Sequence, residues 1–345
     1  MHWSEMKGVL KERFTSRVLA IDSHTAGEPT RLIVGGIPSL PGETMQAKLD
    51  YFRTNLDSVR RLLTSEPRGH RDMLAAAVTE PTTEGADFGL IYMDARRYPF
   101  LCGHATIGAV TTVIEAGTLR ATGPQALITV DTPSGPMQTR ARIAEGKVAS
   151  VTIQMVPSFV YGSNQPLQVP GIGTIQVDTV CVGGFFAMVS ADQIGMELNL
   201  QNAKKLVQLG MTIIDEANEQ LEVRHPLRPE VTTIDVVEFY NPSGHTKRSG
   251  ENIVVYGEAH MDRSPCGTGT AAKMTLLHHR KQLEVGQSFI NANPLGPKFE
   301  GRIVCETKVG ELPAIVGEVS GSAHITGIHE FVLDPDDPFP QGFLV

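Results

Sequence analysis

Apolar and polar positions along the 345-residue chain change period several times, and those changes mark out strands and helices. Short β-rich runs at 17–21 and 31–34 flank a polar turn, Asp22-Ser23-His24-Thr25-Ala26-Gly27. Downstream, Met45, Leu49, Phe52, Leu56, Val59 and Leu63 recur at alternating spacings of four and three. That spacing predicts one amphipathic helix with a single apolar stripe, stopped near Glu66-Pro67-Arg68-Gly69. The run 88–92 reads as a buried strand, and Phe100 leads into a second helix after Cys102. Strands and turns follow from 127 to about 160, with one turn at Pro133-Ser134-Gly135. The stretch 175–190 is again strand-like, broken at Gly183-Gly184. A long helix is predicted over 202–221, strands over 233–240 and 252–257, and a last helix after Cys266. The C-terminal part is β-rich to Leu333 and then proline-rich and irregular.

Two of these helix starts share a pattern. Cys102-Gly103-His104-Ala105-Thr106 and Cys266-Gly267-Thr268-Gly269-Thr270 both read C-G-x-x-T. After the first, Ile107, Val110 and Ile114 repeat at helical spacing, and Gly117 sits where a C-terminal cap belongs. After the second come good helix formers, then His278, His279, Arg280 and Lys281 at the end where the helix dipole favours positive charge. One such motif in each half of the chain suggests two similar α/β lobes.

Composition narrows the class. The length suits two domains at about 100–200 residues each. The surplus of 38 acidic over 30 basic residues gives a net charge of −8, with no basic block of the kind a nucleic-acid footprint needs. Residues 1–16 mix charges with isolated apolar positions and lack a signal-peptide core, and no stretch is apolar enough to span a bilayer. The four cysteines are widely spaced rather than clustered, which fits a reducing cytoplasm. Cys181 and Cys305, in apolar strand-like runs, read as small buried hydrophobes.

Cys102 and Cys266 read differently. A cysteine at a helix N-terminus meets backbone N–H groups and the positive end of the dipole, both of which favour the thiolate. The following glycines let a ligand approach the backbone, and the same N–H groups suit a carboxylate. With two such motifs on opposite sides of a small amino acid, one thiolate removes the α-proton while the other thiol delivers a proton to the opposite face. The N–H donors would stabilise the enolate-like charge that develops, and no metal or organic cofactor is required. A zinc site using Cys102 and His104 lacks further ligands at suitable spacing, and a Cys/His hydrolase would leave the second motif unexplained.

At these residues the sequence resembles the proline racemase family. The resemblance spans nearly the whole chain: Ile21-Asp22-Ser23-His24-Thr25-Ala26-Gly27-Glu28, Glu66-Pro67-Arg68-Gly69-His70 with Asp72-Met73, and Cys102-Gly103-His104. It continues in Gly183-Gly184-Phe185-Phe186-Ala187 and in Asp262-Arg263-Ser264-Pro265-Cys266-Gly267-Thr268-Gly269-Thr270. It implies an α+β, diaminopimelate-epimerase-like fold: two pseudo-symmetric lobes, each a curved sheet around a central helix. The boundaries expected are 1–155 for the first lobe, completed by 326–345, and 156–325 for the second. The resemblance places catalysis on Cys102 and Cys266, and substrate binding on Gly103, His104, Asp262, Gly267 and Thr268. Asp262 would pair with the substrate ammonium and His104 would help orient it. Glu28 and Arg68 read as structural ion pairs or residues that shape the pocket, or else as solvated or ion-paired surface groups, and no catalytic role is assigned to them, His24 or His70. The implied activity is cofactor-independent racemisation of proline, with 4-hydroxyproline 2-epimerisation as the near alternative. Dehydration of trans-3-hydroxy-L-proline is disfavoured, since such dehydratases carry threonine where Cys266 stands. The expected partners are a small-molecule substrate and a homodimer mate, with no nucleic acid and no membrane.

Overall fold

The computed structural model describes residues 13–14, 17–241, 249–257 and 259–345, so the reading of 1–16 falls outside the described residues except at Arg13 and Phe14. The chain forms two compact units. The first comprises the described residues up to Thr25, Pro29–Val151 and Ser322–Val345; the second comprises Ala26–Glu28 and Thr152–Gly321.

In the first unit, β1 (Arg17–Thr25) pairs antiparallel with the last strand, β17 (Ala323–Val332). Strands β2 (Glu28–Gly35), β3 (Leu74–Thr79), β4 (Phe88–Asp94), β5 (Gln125–Asp131) and β6 (Met137–Ala144) continue the sheet by alternating parallel and antiparallel pairings. Strands β3 and β4 are buried on both faces, which explains their nearly unbroken apolar sequences. The pleat divides their side chains. Ala75, Ala77, Ile91 and Met93 join Leu49, Phe52 and Leu63 from helices α1 (Met45–Asn55) and α2 (Asp57–Thr64). Tyr92, pointing the other way, bonds Thr106 of α3 (Gly103–Glu115) at 2.6 Å.

The predicted single helix over 45–63 is therefore two. Leu56 leaves helical geometry at φ −127° while keeping its N–H bonded to Phe52. Asp57 then opens α2 and engages Arg60, Arg61 and the Tyr98 hydroxyl. An acidic residue stabilises a helix start, so a new N-terminus is favoured here even though the apolar stripe runs on. Arg31 ties the neighbouring pieces together: its guanidinium grips Asp22 with two bonds, donates to the carbonyls of Leu63 and Arg68, and stacks over Phe331.

The second unit closes on itself. Strand β8 (Ser158–Val169) pairs with β9 (Gly173–Val182), which pairs with β10 (Gly184–Ser190). The order continues through β11 (Ile234–Tyr240), β12 (Ser249–Tyr256), β14 (Ser288–Ala292), β15 (Lys298–Val309) and β16 (Leu312–Gly321). Ile315 of β16 then pairs with Ser158 of β8 and completes the ring. A two-residue strand, β13 (His260–Met261), adds to the margin of β12.

Helix α6 (Gly267–His279) packs against β8, β9, β15 and β16 and is buried at Gly267 and continuously over 269–276. A helix buried on every side belongs inside a core, even though this one carries Thr270, Lys273 and Thr275 among its buried positions. The barrel wall makes room for it at Gly301, where a built Cβ would lie 2.6 Å from the sulfur of Met274. On the other face, α5 (Ala203–Gln220), which follows the short α4 (Ala191–Ile194), packs Leu206, Ile213 and Ala217 with Val237, Phe239 and Val255. Truncating one such buried side chain to alanine typically costs about 2–5 kcal/mol.

Of the two cysteines expected to be buried, Cys181 is and Cys305 is not. The register of β15 shifts between Ile303 and Cys305, so the inward alternation that ends at Ile303 is lost and 304–308 face solvent.

Candidate active site

Each Cys-Gly motif caps a buried helix. In the first unit, Cys102 is the N-cap of α3, in extended geometry at φ −148° and half-buried. Its carbonyl accepts from the N–H of Thr106 at 3.0 Å and from the Thr106 hydroxyl at 2.8 Å. The Thr106 hydroxyl is held in turn by Tyr92, whose own ionisation is suppressed by complete burial. Cys102 Sγ lies 3.3 Å from Nδ1 of His104 and 3.8 Å from Nε2, so the imidazole ring sits beside the sulfur. His104 is buried, and its carbonyl accepts from the Thr25 hydroxyl at 2.8 Å. Gly103 provides the first residue of the helix between them. This unit thus brings together Cys102, Gly103 and His104.

The second unit gathers Asp262, Cys266, Gly267 and Thr268. Cys266 is the N-cap of α6 at φ 61°, ψ 121°, a region that L-residues rarely adopt. Holding such a conformation costs on the order of 1–3 kcal/mol, which the surroundings must offset. Its Sγ accepts from the N–H of Gly269 at 3.3 Å and lies 3.4 Å from the Thr268 hydroxyl. Its own N–H donates to Ser264 Oγ at 3.0 Å, and the Ser264 N–H donates to Asp262 Oδ1 at 2.7 Å. Asp262 is buried at 5% exposure.

The expectation that the helix start favours thiolate holds only in part at Cys266. Burial pushes its thiol well above the usual cysteine range, and the Asp262 carboxylate pushes it the same way. The Thr268 hydroxyl and the Gly269 N–H act in the opposite direction and are outweighed. A helix terminus helps an anion only where water or donors replace what burial removes.

Of the two readings of Glu28, the structural pairing holds and the surface placement does not. Its side chain is wholly buried, with Oε1 3.0 Å from His260 Nε2 and Oε2 accepting from the Arg263 N–H at 2.7 Å. It braces the segment that leads to Cys266. Arg68 forms an ion pair with Asp337, and both are largely covered.

Several neighbours of Cys266 were not singled out from sequence. Asn252 Nδ2 donates to the Pro265 carbonyl at 2.9 Å and to Glu238 Oε1 at 3.0 Å, and Asn291 Nδ2 donates to the same carbonyl at 3.3 Å. A signal for Glu238 was present: a lone acid inside the run Val236-Val237-Glu238-Phe239-Tyr240. Strand alternation cannot say what waits on its side of the sheet.

With this geometry in view, the comparisons with known proteins agree on one family. The profile of the family described as proline racemase matches residues 20–344. A proline racemase from Clostridioides difficile is 42% identical over 333 residues, covering 96% of this chain and 99% of its own. A 4-hydroxyproline 2-epimerase from Streptosporangium roseum is 39% identical over 332 residues, covering 96% and 99%. A hydroxyproline epimerase from Agrobacterium vitis, solved with bound trans-4-hydroxy-L-proline, superposes with a TM-score of 0.87 at 28% identity, covering 96% of each chain. This chain belongs to the proline racemase family and is an isomerase of the racemase and epimerase type.

Proposed function

We propose that the chain is a cofactor-independent proline racemase that interconverts L- and D-proline with Cys102 and Cys266 as its two acid–base groups. The observation that carries this reading is the recurrence of one arrangement: each Cys-Gly motif starts a helix sunk in a core, with a polar partner at the sulfur. Two-base inversion needs one group to accept the α-proton and a second to supply a proton to the other face of the carbon. Burial keeps Cys266 protonated in the resting protein, which makes it the initial donor. The opposite role, taking the α-proton, falls to Cys102, with the His104 ring against its sulfur. After one turnover the sulfurs have exchanged protonation states, and the reverse reaction restores them.

The remaining assignments follow the chemistry of the ligand. Asp262 pairs with the substrate ammonium, and His104 orients it. A cation there offsets the carboxylate that opposes ionisation of Cys266, so substrate binding itself prepares that sulfur for the reverse direction. The N–H groups at Gly103, Gly267 and Thr268 hold the carboxylate and stabilise its enolate-like charge. The reading includes the diaminopimelate-epimerase-like architecture of two pseudo-symmetric lobes, divided as 1–155 with 326–345 and as 156–325. It also includes a homodimer working in the reducing cytoplasm; the four cysteines are free thiols, as the chemistry requires.

A second reading, 4-hydroxyproline 2-epimerase, keeps the same two cysteines and is favoured by the similar identity to a protein of that name. Incubation with L-proline, trans-4-hydroxy-L-proline and trans-3-hydroxy-L-proline in D2O, followed by chiral chromatography, separates the readings. Inversion of proline with deuterium at Cα is the expected result. Inversion of hydroxyproline alone would transfer the assignment to the epimerase, and release of water from trans-3-hydroxy-L-proline without inversion would refute both.

A further inference from the structure

We propose that Glu238 is a positioning residue for the Cys266 thiol, acting through Asn252 on the Pro265–Cys266 peptide. The inference rests on the reading of Cys266 as an acid–base group. The Pro265–Cys266 peptide is held from both sides. Its carbonyl takes the Asn252 and Asn291 amides at 2.9 and 3.3 Å, and its N–H donates to Ser264 Oγ at 3.0 Å. With that plane fixed, the Cys266 φ places Cβ, and rotation about Cα–Cβ, held by the Gly269 N–H and the Thr268 hydroxyl at the sulfur, sets where Sγ points. The positive φ of Cys266 persists only because its surroundings dictate it.

Asn252 can hold the Pro265 carbonyl only with its NH2 group turned that way. An amide nitrogen carries two hydrogens, and its second one goes to Glu238 Oε1 at 3.0 Å. Glu238 therefore selects which way the Asn252 amide faces. Its own placement is dictated by the strand: Val237 and Phe239 join the core under α5, so the pleat turns Glu238 to the opposite face, toward α6. There its second oxygen underlies the first turn of the helix, 2.9 Å from where a Cβ on Gly269 would be. One carboxyl thus touches both supports of the cysteine.

A carboxyl with no exposed surface is costly to keep in a barrel core, and no ion pair within bonding distance compensates it among the described residues. Burial pushes its protonation upward, consistent with use as a hydrogen-bond acceptor and not as a charge. The same burial pushes nearby Lys273 downward; its ammonium nitrogen lies 3.2 Å from the centre of the Tyr240 ring.

The test compares Glu238→Gln, which keeps an acceptor of the same length, with Glu238→Met, which fills the space without one. Racemisation by purified, folded full-length chain is followed by chiral chromatography, with Cys266→Ser measured alongside. Glu238→Met is expected to lose on the order of 100-fold in kcat, the scale of an ångström-level misplacement, while KM changes little; Glu238→Gln is expected to keep near-full kcat. Should Glu238→Met not fold, Asn252→Asp, which withdraws the donor from Pro265, is expected to show the same selective loss. Near-full kcat in Glu238→Met or Asn252→Asp would overturn the proposal, as would equal damage in Glu238→Gln. If Cys266→Ser itself remains active, the underlying reading fails, not merely this extension of it.

Discussion

The two C-G-x-x-T motifs begin alike and are supported differently. Cys102 lies in relaxed, extended backbone, half-open, with an imidazole against its sulfur. Cys266 lies in strained backbone, enclosed, with a hydroxyl and a backbone N–H against its sulfur. The fifth residue shows the same divergence. Thr106 bonds back to the carbonyl of the cysteine itself at 2.8 Å, whereas Thr270 reaches the carbonyl of Pro265 at 3.4 Å and receives Asn291 at 3.0 Å. A shared sequence pattern therefore fixes the helix start, while the surrounding strands decide what meets the sulfur. Two thiols in such unlike surroundings suit the proposed reaction, which needs one donor and one acceptor at the outset.

The largest effect should come from removing either sulfur. Cys102→Ser and Cys266→Ser are each expected to lower racemisation by about 100- to 10,000-fold, the usual range for a proton-transfer group, as followed by optical rotation. Near-full activity in one of them would end the pairing.

Next come the fourth positions, Ala105 and Gly269. A Cβ at Gly269 would stand 2.9 Å from Glu238 Oε2 and 3.0 Å from Val254 Cγ2, so Gly269→Ala should cost about 1–3 kcal/mol in urea unfolding. Ala105→Gly loses only helix propensity and a buried methyl and should cost about 1 kcal/mol. Equal costs would mean that the second helix start is no more crowded than the first.

At the fifth positions, Thr106→Val strands the buried Tyr92 hydroxyl and should cost about 1–3 kcal/mol, with Thr270→Val nearer 1 kcal/mol because Asn291 keeps the Pro265 carbonyl. The smallest effect is electrostatic. Asp262 raises the Cys266 thiol, so Asp262→Asn, which can still accept from Ser264, should lower it. Thiolate is the alkylating form, so iodoacetamide labelling of Cys266, read by peptide mass spectrometry, should become faster at fixed pH near neutrality. Slower or unchanged labelling would show that the carboxylate does not govern the thiol.

Much of this was legible in the chain. The strands bounding Gly183, the helix over 203–220 and both cysteine-capped helices follow from local periodicity and turn residues. The break at Leu56 was hidden because its apolar stripe is continuous, and the exposure of Cys305 because a register shift leaves no mark in composition. The sites were half legible. Cys102, His104, Asp262 and Cys266 stand in distinctive strings, but Glu238, Asn252 and Asn291 reach the Pro265 carbonyl or its donors from strands far away in sequence. Non-local pairing of that kind has no period to read.

That non-local pairing also governs when the molecule can fold. The second unit is sealed by Ser158 against Ile315, and in the first β1 pairs with β17, Arg17 against Val332. Both pairings wait for strands made long after their partners, β16 (Leu312–Gly321) and β17 (Ala323–Val332). On the ribosome, neither pairing can form until β16 and β17 have been made, and the strand edges that await them stay exposed until then. Spontaneous refolding faces the same slow search for distant partners. Truncation near the C-terminus should therefore leave both halves unfinished together.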